Sequence, residues 1–224
     1  MSKLYVVGTA IGNLQDVSQR ALDTLKNVDI IACEDTRKSL KLLNHFNISK
    51  PLMSYHDHNA KKQTFKIIDL LKEGKNIALI SDAGMPLISD PGYPLIQALE
   101  AENLNLDIIP GPTALISALI LSGMPTDKFV FLGFLPLKTS KISRQLESIK
   151  DFQGSVILYE SPYRLIKTLN LLKKKVDISL VAVVKEITKI YQTVVKGTIE
   201  EVLEKLEKST IKGEFVIIFS LKKN

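Results

Sequence analysis

Short apolar runs alternate with segments of helical periodicity through the first half of the chain. The runs are rich in valine and isoleucine and occupy residues 4–7, 28–33, 77–80 and 106–109. Between them, residues 14–27 and 60–73 repeat apolar side chains at the spacing of an amphipathic helix. Buried strands joined by crossover helices are typical of a parallel sheet, so this pattern predicts an α/β fold.

A second set of apolar runs predicts a second α/β unit. These runs occupy residues 129–132, 156–159, 180–184, 193–195 and 215–219. Pro110-Gly111-Pro112 separates the two sets, and prolines end regular structure. We therefore predict two domains, residues 1–112 and residues 113–224.

Two helix starts are signalled in the second half. Thr198 and Glu201 have the spacing of a capping box. Ser161-Pro162 predicts a cap residue followed by an N1 proline ahead of a helix over residues 165–172.

Composition limits the class of protein. A chain of 224 residues with 45% hydrophobic content forms one or two compact domains. No apolar run approaches the ~18 residues of a membrane span, and the chain enters a strand directly, so we expect a soluble, unprocessed protein. Cys33 is the single cysteine, which fits a reducing, cytoplasmic compartment. The net charge of +6 favours a polyanionic partner, although a lysine-rich surface is often merely solvated.

Three glycine-containing turns each follow a predicted strand. They lie at residues 8–12, 81–92 and 110–112, and the carboxyl ends of parallel strands are where ligands bind. The first turn lacks the third glycine of a G-x-G-x-x-G motif, so a nicotinamide cofactor is weakly supported, although Glu34 or Asp35 lies where a ribose-binding acid would sit. The second turn combines Asp82 and Asp90 with glycines and prolines, which predicts a rigid polar loop.

Polar clusters follow other predicted strands. In Glu34-Asp35-Thr36-Arg37, Asp35 or Thr36 caps a helix, or Arg37 holds a phosphate. Tyr55-His56-Asp57-His58-Asn59 suits a nucleobase or a capped loop, and we expect no metal site because a third ligand is missing. Residues 159–164 and 185–189 place further charge at strand ends, either in a site or as solvated caps.

Six blocks in order resemble the ribosomal RNA small subunit methyltransferase I family of the tetrapyrrole-methylase superfamily. They are YVVGTAIGNLQDVSQRAL, ACEDTR, LISDAGMPLISDPGY, IPGPTAL, LYESPYRL and VVKEITK, and they span nearly the whole chain. The resemblance implies two α/β domains with S-adenosylmethionine in the cleft between them, usually in a homodimer. It also implies methylation of a cytidine ribose 2′-hydroxyl in the decoding region of small-subunit (16S) ribosomal RNA, as free RNA or in the 30S subunit.

The resemblance also implies site residues. Carried over by motif, the cofactor contacts fall at Ala10, Ile11, Asp82, Ala83, Gly84, Met85, Ile88, Thr113, Ala114, Tyr159, Val184 and Lys185. Met85 stands where relatives often carry threonine, so we expect its contact to use the backbone. The chain stops at residue 224 without the C-terminal extension of many relatives, so we expect RNA docking to depend on the remaining surface and the dimer.

For catalysis we hypothesise that Glu34, Asp35, Glu186 or Lys185 accepts the hydroxyl proton while Arg37 and Arg164 hold phosphates. The predicted RNA contacts are Arg37, Tyr55, His56, Asn59, Tyr163 and Arg164. Two alternatives remain open: a tetrapyrrole C-methylase, and a non-catalytic RNA-binding protein on the same fold.

Overall fold

A computed structural model describes residues 2–222, so the last two residues of the C-terminal segment discussed above lie outside the described part. The chain divides into two compact units, Met1–Thr113 and Ala114–Asn224, called unit 1 and unit 2 below. Among the described residues, no helix has the length and apolar character needed to cross a bilayer.

Unit 1 is built on a five-stranded sheet in the order β3-β2-β4-β1-β5. Its strands are β1 (Lys3–Val7), β2 (Ile30–Cys33), β3 (Leu52–Ser54), β4 (Ile77–Ile80) and β5 (Asn105–Ile109). Every pairing is parallel, which confirms the predicted sheet. The sequence pattern missed β3 because a three-residue strand shows no periodicity.

The helices of unit 1 are α1 (Gln19–Asn27), α2 (Thr36–His45), α3 (Ala60–Lys72) and α4 (Tyr93–Ala101). The helix predicted over residues 14–27 is present from residue 19 onward, so only its start was wrong. A 3-10 turn at Leu14–Asp16 comes first, and α1 begins after Ser18, whose side chain accepts a hydrogen bond from the Ala21 N–H.

Side chains of this sheet alternate between two cores. Leu4 and Val6 pack with residues of α3 and α4, whereas Val7 and the buried thiol of Cys33 pack with α1 and α2 on the other face. Helices therefore cover both faces, and the ligand-accessible part of the sheet is its carboxyl edge.

Unit 2 has a mixed five-stranded sheet in the order β6-β7-β10-β8-β9. Its strands are β6 (Phe129–Phe134), β7 (Ser155–Glu160), β8 (Ile178–Lys185), β9 (Thr193–Gly197) and β10 (Phe215–Leu221). Within the described residues of this sheet, only the β6–β7 pair is parallel; β10 runs antiparallel to both β7 and β8, and β9 runs antiparallel to β8. The ends of β6, β7 and β8 consequently share one edge.

The helices of unit 2 are α5 (Ala114–Ser122), α6 (Thr139–Glu147), α7 (Leu165–Lys175) and α8 (Ile199–Glu207). Both hydrogen bonds of the predicted capping box at Thr198 and Glu201 are present. The predicted cap at Ser161-Pro162 was wrong: Arg164 is the N-cap of α7, and the Ser161 carbonyl accepts hydrogen bonds from the N–H groups of Arg164 and Leu165. That proline starts a turn, not the helix.

Candidate functional site

The three glycine turns of unit 1 meet at the carboxyl edge of its sheet. They follow the adjacent strands β4, β1 and β5. The Gly8 N–H donates to the Ile109 carbonyl at 3.0 Å, and the Thr9 N–H donates to the Gly84 carbonyl at 2.9 Å. The Gly84 N–H in turn donates to the Ala10 carbonyl at 3.3 Å. These bonds confirm that the turns gather in one place.

Two glycines allow this approach. A Cβ at Gly8 would lie 2.6 Å from the Gly111 Cα and 2.6 Å from the Met85 sulfur. A Cβ at Gly111 would lie 2.7 Å from the Gly8 Cα. Because no side chain fits between the turns, the main chains of residues 8 and 111 touch directly.

The loop between β4 and α4 holds an uncommon backbone. Leu87 and Ser89 have φ values of 75° and 68°, although neither is glycine. Ser81 steadies the loop start, because its hydroxyl donates to the Ala83 carbonyl at 3.2 Å. Non-glycine residues in the left-handed region cost free energy and cluster at functional sites. The strained backbone therefore indicates that this loop is part of a functional site.

Asp82 joins this loop to the end of β2. Its carboxylate accepts hydrogen bonds from the Asp35 N–H at 3.1 Å and from the Lys38 ammonium at 2.6 Å. The contact of Asp82 with Lys38 could not be predicted from a local motif, because the two residues lie 44 positions apart. The polar cluster after β2 is thereby fixed against the loop that follows β4.

Two carboxyl groups at this edge have raised pKa values. Burial, reinforced by the charges of Glu34 and Asp82, raises the pKa of Asp90 to about 6. Burial and the charge of Asp82 also raise the pKa of Glu34. A carboxylate whose pKa is closer to 7 accepts a proton more readily. This edge of the sheet therefore offers oxygens that could act as a base, as well as negative charge.

Asp35 caps a helix and forms an ion pair. Its side chain caps α2 by accepting from the Arg37 N–H at 2.9 Å, and it pairs with the Arg37 guanidinium at 2.7 Å. Those hydrogen bonds hold the pKa of Asp35 well below its usual range. The Arg37 side chain is 87% exposed. Asp35 is therefore a poor base, and Arg37 remains accessible to an anion.

The Tyr55–Asn59 segment forms an internally bonded turn. Tyr55 is 1% exposed, and its hydroxyl lies 3.2 Å from that of Thr64. Asn59 accepts from the His56 N–H at 2.9 Å and donates to the Ser54 carbonyl at 3.1 Å. The Tyr55 ring has no exposed face on which a nucleobase could stack, and within residues 2–222 no group of histidine, cysteine and acidic side chains is arranged to hold a metal.

Tyr159 and Val184 lie in one row of the unit 2 sheet, since both pair with Val216. The Tyr159 hydroxyl accepts a hydrogen bond from the Leu115 N–H at the start of α5. Val184 is fully buried, so a ligand could meet only its backbone. Ala114 is the first residue of α5.

Arg164 is held inside unit 2. Its guanidinium donates to the Leu135 carbonyl at 2.8 Å and lies 3.4 Å from the buried Glu160 carboxylate. Glu160 also accepts from the Thr168 hydroxyl at 2.6 Å. These partners favour a structural role for Arg164 over the predicted phosphate contact, whereas neighbouring Tyr163 is 96% exposed.

Lys185 and Glu186 are likewise tied locally. The Lys185 ammonium donates to the Thr210 carbonyl at 2.9 Å. Glu186 accepts from the Glu214 N–H and from Lys189, each at 2.9 Å. Burial raises the pKa of Glu186, but these hydrogen bonds outweigh it, so the net direction is downward. Glu186 is thus a weak candidate for the base.

Residues 3–203 match the family model described as Tetrapyrrole (Corrin/Porphyrin) Methylases. The chain is 44% identical over 220 residues to the "Ribosomal RNA small subunit methyltransferase I" of Thermotoga maritima, covering 98% of this chain and 99% of that relative. It is 47% identical over 224 residues to the protein of the same name from Mycoplasmopsis pulmonis, covering 99% of each.

Solved structures are similar at lower identity. A diphthine synthase has a TM-score of 0.79 at 13% identity, covering 100% of this chain and 91% of that one. A cobalt precorrin-4 methyltransferase has a TM-score of 0.69 at 18% identity, covering 97% of this chain and 94% of that one. Likeness at these identities shows the fold alone.

Proposed function

The chain belongs to the ribosomal RNA small subunit methyltransferase I family, within the tetrapyrrole methylases, and on that premise we propose that it methylates a cytidine ribose 2′-hydroxyl in small-subunit ribosomal RNA. The identity of 44% and 47% to two relatives over almost their full lengths carries this proposal. The methyl donor is S-adenosylmethionine, which supplies an electrophilic methyl group on a sulfonium.

The joined turns of unit 1 fit such a donor. Main-chain hydrogen bonds join residues 8–12 to residues 81–92, and the buried Thr9 hydroxyl has no hydrogen-bond partner within the described part of the chain. A bound polar ligand at this junction would satisfy that hydroxyl. We assign the unit 1 contacts to Ala10, Ile11, Asp82, Ala83, Gly84, Met85, Ile88 and Thr113.

In unit 2 we assign cofactor contacts to Ala114, Tyr159, Val184 and Lys185. Val184 would contribute its backbone because its side chain is buried. Met85 would also contact the cofactor through its main chain, because its side-chain sulfur lies against Gly8. A main-chain contact is what we expect where the threonine of many relatives is absent.

Glu34 is the group we assign to hold the proton of the ribose hydroxyl. It is half-buried with a raised pKa, whereas Asp35 is paired with Arg37 and Glu186 with Lys189. The carboxylate takes the proton as the ribose oxygen bonds to the methyl carbon and the carbon–sulfur bond breaks, so that the sulfonium leaves as the neutral thioether S-adenosylhomocysteine. Alignment of the oxygen, methyl carbon and sulfur supplies much of the acceleration. Arg37 would hold a backbone phosphate of the RNA.

Single-turnover methylation of unmodified small subunits with labelled S-adenosylmethionine tests these roles. Glu34→Gln should slow methyl transfer about 100-fold, the size of a lost general base, with cofactor affinity by calorimetry unchanged. Asp35→Asn is the matched control, and it should slow methyl transfer less than Glu34→Gln does. Near-normal methyl transfer by Glu34→Gln would show that Glu34 is not the base. Label entering only a porphyrinoid would show that ribosomal RNA is not the substrate.

We further propose that the protein is a homodimer in the cytoplasm. The family resemblance supports the dimer, and a ribosomal substrate together with one buried thiol at Cys33 supports the compartment. Sedimentation velocity at micromolar concentration tests the dimer; a single monomeric species would contradict it.

A further inference from the structure

One edge of the unit 2 sheet presents a row of exposed apolar side chains. The turns after β6, β7 and β8 all lie at this edge, because Phe215 of β10 pairs with both Glu160 and Lys185 while Phe134 of β6 pairs with Tyr159. Four side chains on these turns are among the most exposed large hydrophobic residues described: Leu137 at 85%, Tyr163 at 96%, Ile190 at 94% and Tyr191 at 75%. We call these four residues the apolar edge.

We propose that the apolar edge binds single-stranded RNA of the small subunit, with Tyr163 and Tyr191 as stacking platforms for bases. This inference rests on the proposed function and adds a place on the molecule for the substrate. From the end of β6 to the end of β8 there are three strand spacings, or about 15 Å. A span of that size accommodates a short single-stranded segment, and not a whole ribosomal domain.

Positive charge accompanies the exposed rings. Lys138 follows Leu137 directly, Lys212 lies just before β10, and both are exposed. The acids nearby have cationic neighbours: Glu186 and Glu214 share the Lys189 ammonium, the charge of Lys185 also acts on Glu186, and Glu160 pairs with Arg164. Aromatic side chains interleaved with unneutralised lysines are the arrangement that binds single strands, because rings stack on bases while cations contact phosphates.

The turn carrying Ile190 and Tyr191 is held in place before any ligand arrives. Lys189 bridges the carboxylates of Glu186 at 2.9 Å and Glu214 at 3.0 Å, and the Thr188 N–H donates to the Gln192 side chain at 2.7 Å. Gly213 lies close to the Glu186 carboxylate with a φ of 96°, a backbone conformation that favours glycine. A turn that is already ordered loses little conformational entropy on binding, so its exposed ring is a favourable anchor.

The test is fluorescence anisotropy with a labelled decoding-region transcript, with methylation of unmodified small subunits as a second readout. Tyr163→Ala and Tyr191→Ala should each weaken transcript binding about tenfold, which is about 1.4 kcal/mol. The double variant should raise KM for small subunits with kcat unchanged, as expected for a lost ground-state contact. Tyr163→Phe keeps the ring and should bind normally. Phe65→Ala, which removes a 65% exposed ring from unit 1, is the matched control.

The outcomes separate the two proposals. If the wild-type protein binds S-adenosylmethionine and methylates small subunits while the double variant keeps wild-type affinity and KM, the apolar edge is refuted alone. If the wild-type protein methylates no ribosomal RNA and does not bind the transcript, both proposals fail. If the double variant changes the sedimentation coefficient but not the RNA affinity, the edge is a contact between protein chains and the RNA proposal is wrong.

Discussion

Asp90 holds an ionised carboxyl at a cost to the folded state, and its replacement by asparagine should stabilise the protein. Its pKa rises from an ordinary 3.8 to about 6. Each tenfold change in acid dissociation corresponds to about 1.4 kcal/mol, so the carboxylate is disfavoured by about 3 kcal/mol before screening. Because the site is partly open to solvent, we expect a gain of about 1–3 kcal/mol for Asp90→Asn at pH 8.

The pH dependence of this gain follows from its sign. Because the pKa of Asp90 is higher in the folded than in the unfolded chain, the folded protein binds more protons between about pH 4 and pH 6. The wild type therefore recovers stability as the pH falls through this window. The advantage of Asp90→Asn should be complete at pH 8, about half as large at pH 5, and lost near pH 4.

Urea unfolding of the wild type and Asp90→Asn at pH 8 and pH 5 measures the effect. Asp69→Asn makes the same chemical change on the exposed face of α3 and reports the general effect of the substitution. Equal stability of the wild type and Asp90→Asn at pH 8, or a gain of the same size at both pH values, would refute the argument.

Three further substitutions test contacts inside unit 1 or inside unit 2. Gly8→Ala should destabilise by about 1–3 kcal/mol and weaken S-adenosylmethionine binding in calorimetry, because its Cβ meets the Gly111 backbone; Gly74→Ala, with nothing within 4 Å, should leave cofactor affinity unchanged. Thr198→Ala should cost about 1 kcal/mol in urea unfolding through loss of the capping box, and no loss would contradict that role. Glu160→Ala should cost about 3 kcal/mol, since it leaves the partly buried Arg164 guanidinium without its carboxylate partner; a near-neutral result would show that solvent and the Leu135 carbonyl satisfy the arginine.

The unit 1 fold could be predicted because its signals are local. Strand β4 follows from four consecutive apolar residues, and the gathering of the glycine turns follows from the topology of parallel strands. The capping box at Thr198 was also predictable, because both partners lie within one helical turn. By contrast, strand β3 is too short to leave a pattern, and Ser161-Pro162 resembles a helix start although the chain makes a turn first.

The site depended on contacts between residues far apart in sequence. The local sequence could not show that Tyr55 is buried and Tyr163 exposed, because the tertiary fold determines exposure. Nor could the sequence show that Arg164 contacts Glu160 and the Leu135 carbonyl, which favours a structural role for Arg164 over a phosphate contact. The resemblance of motifs supplied the chemistry, and the structure supplied the reasons to favour Glu34 over Asp35.

The most direct test of the account is methyl transfer to small ribosomal subunits that lack the modification, followed by mass spectrometry of the digested RNA. We expect one labelled 2′-O-methylcytidine per small-subunit RNA, formed only with the active protein and S-adenosylmethionine. Label on a base, label on the large subunit only, or no label in RNA despite cofactor binding would contradict it.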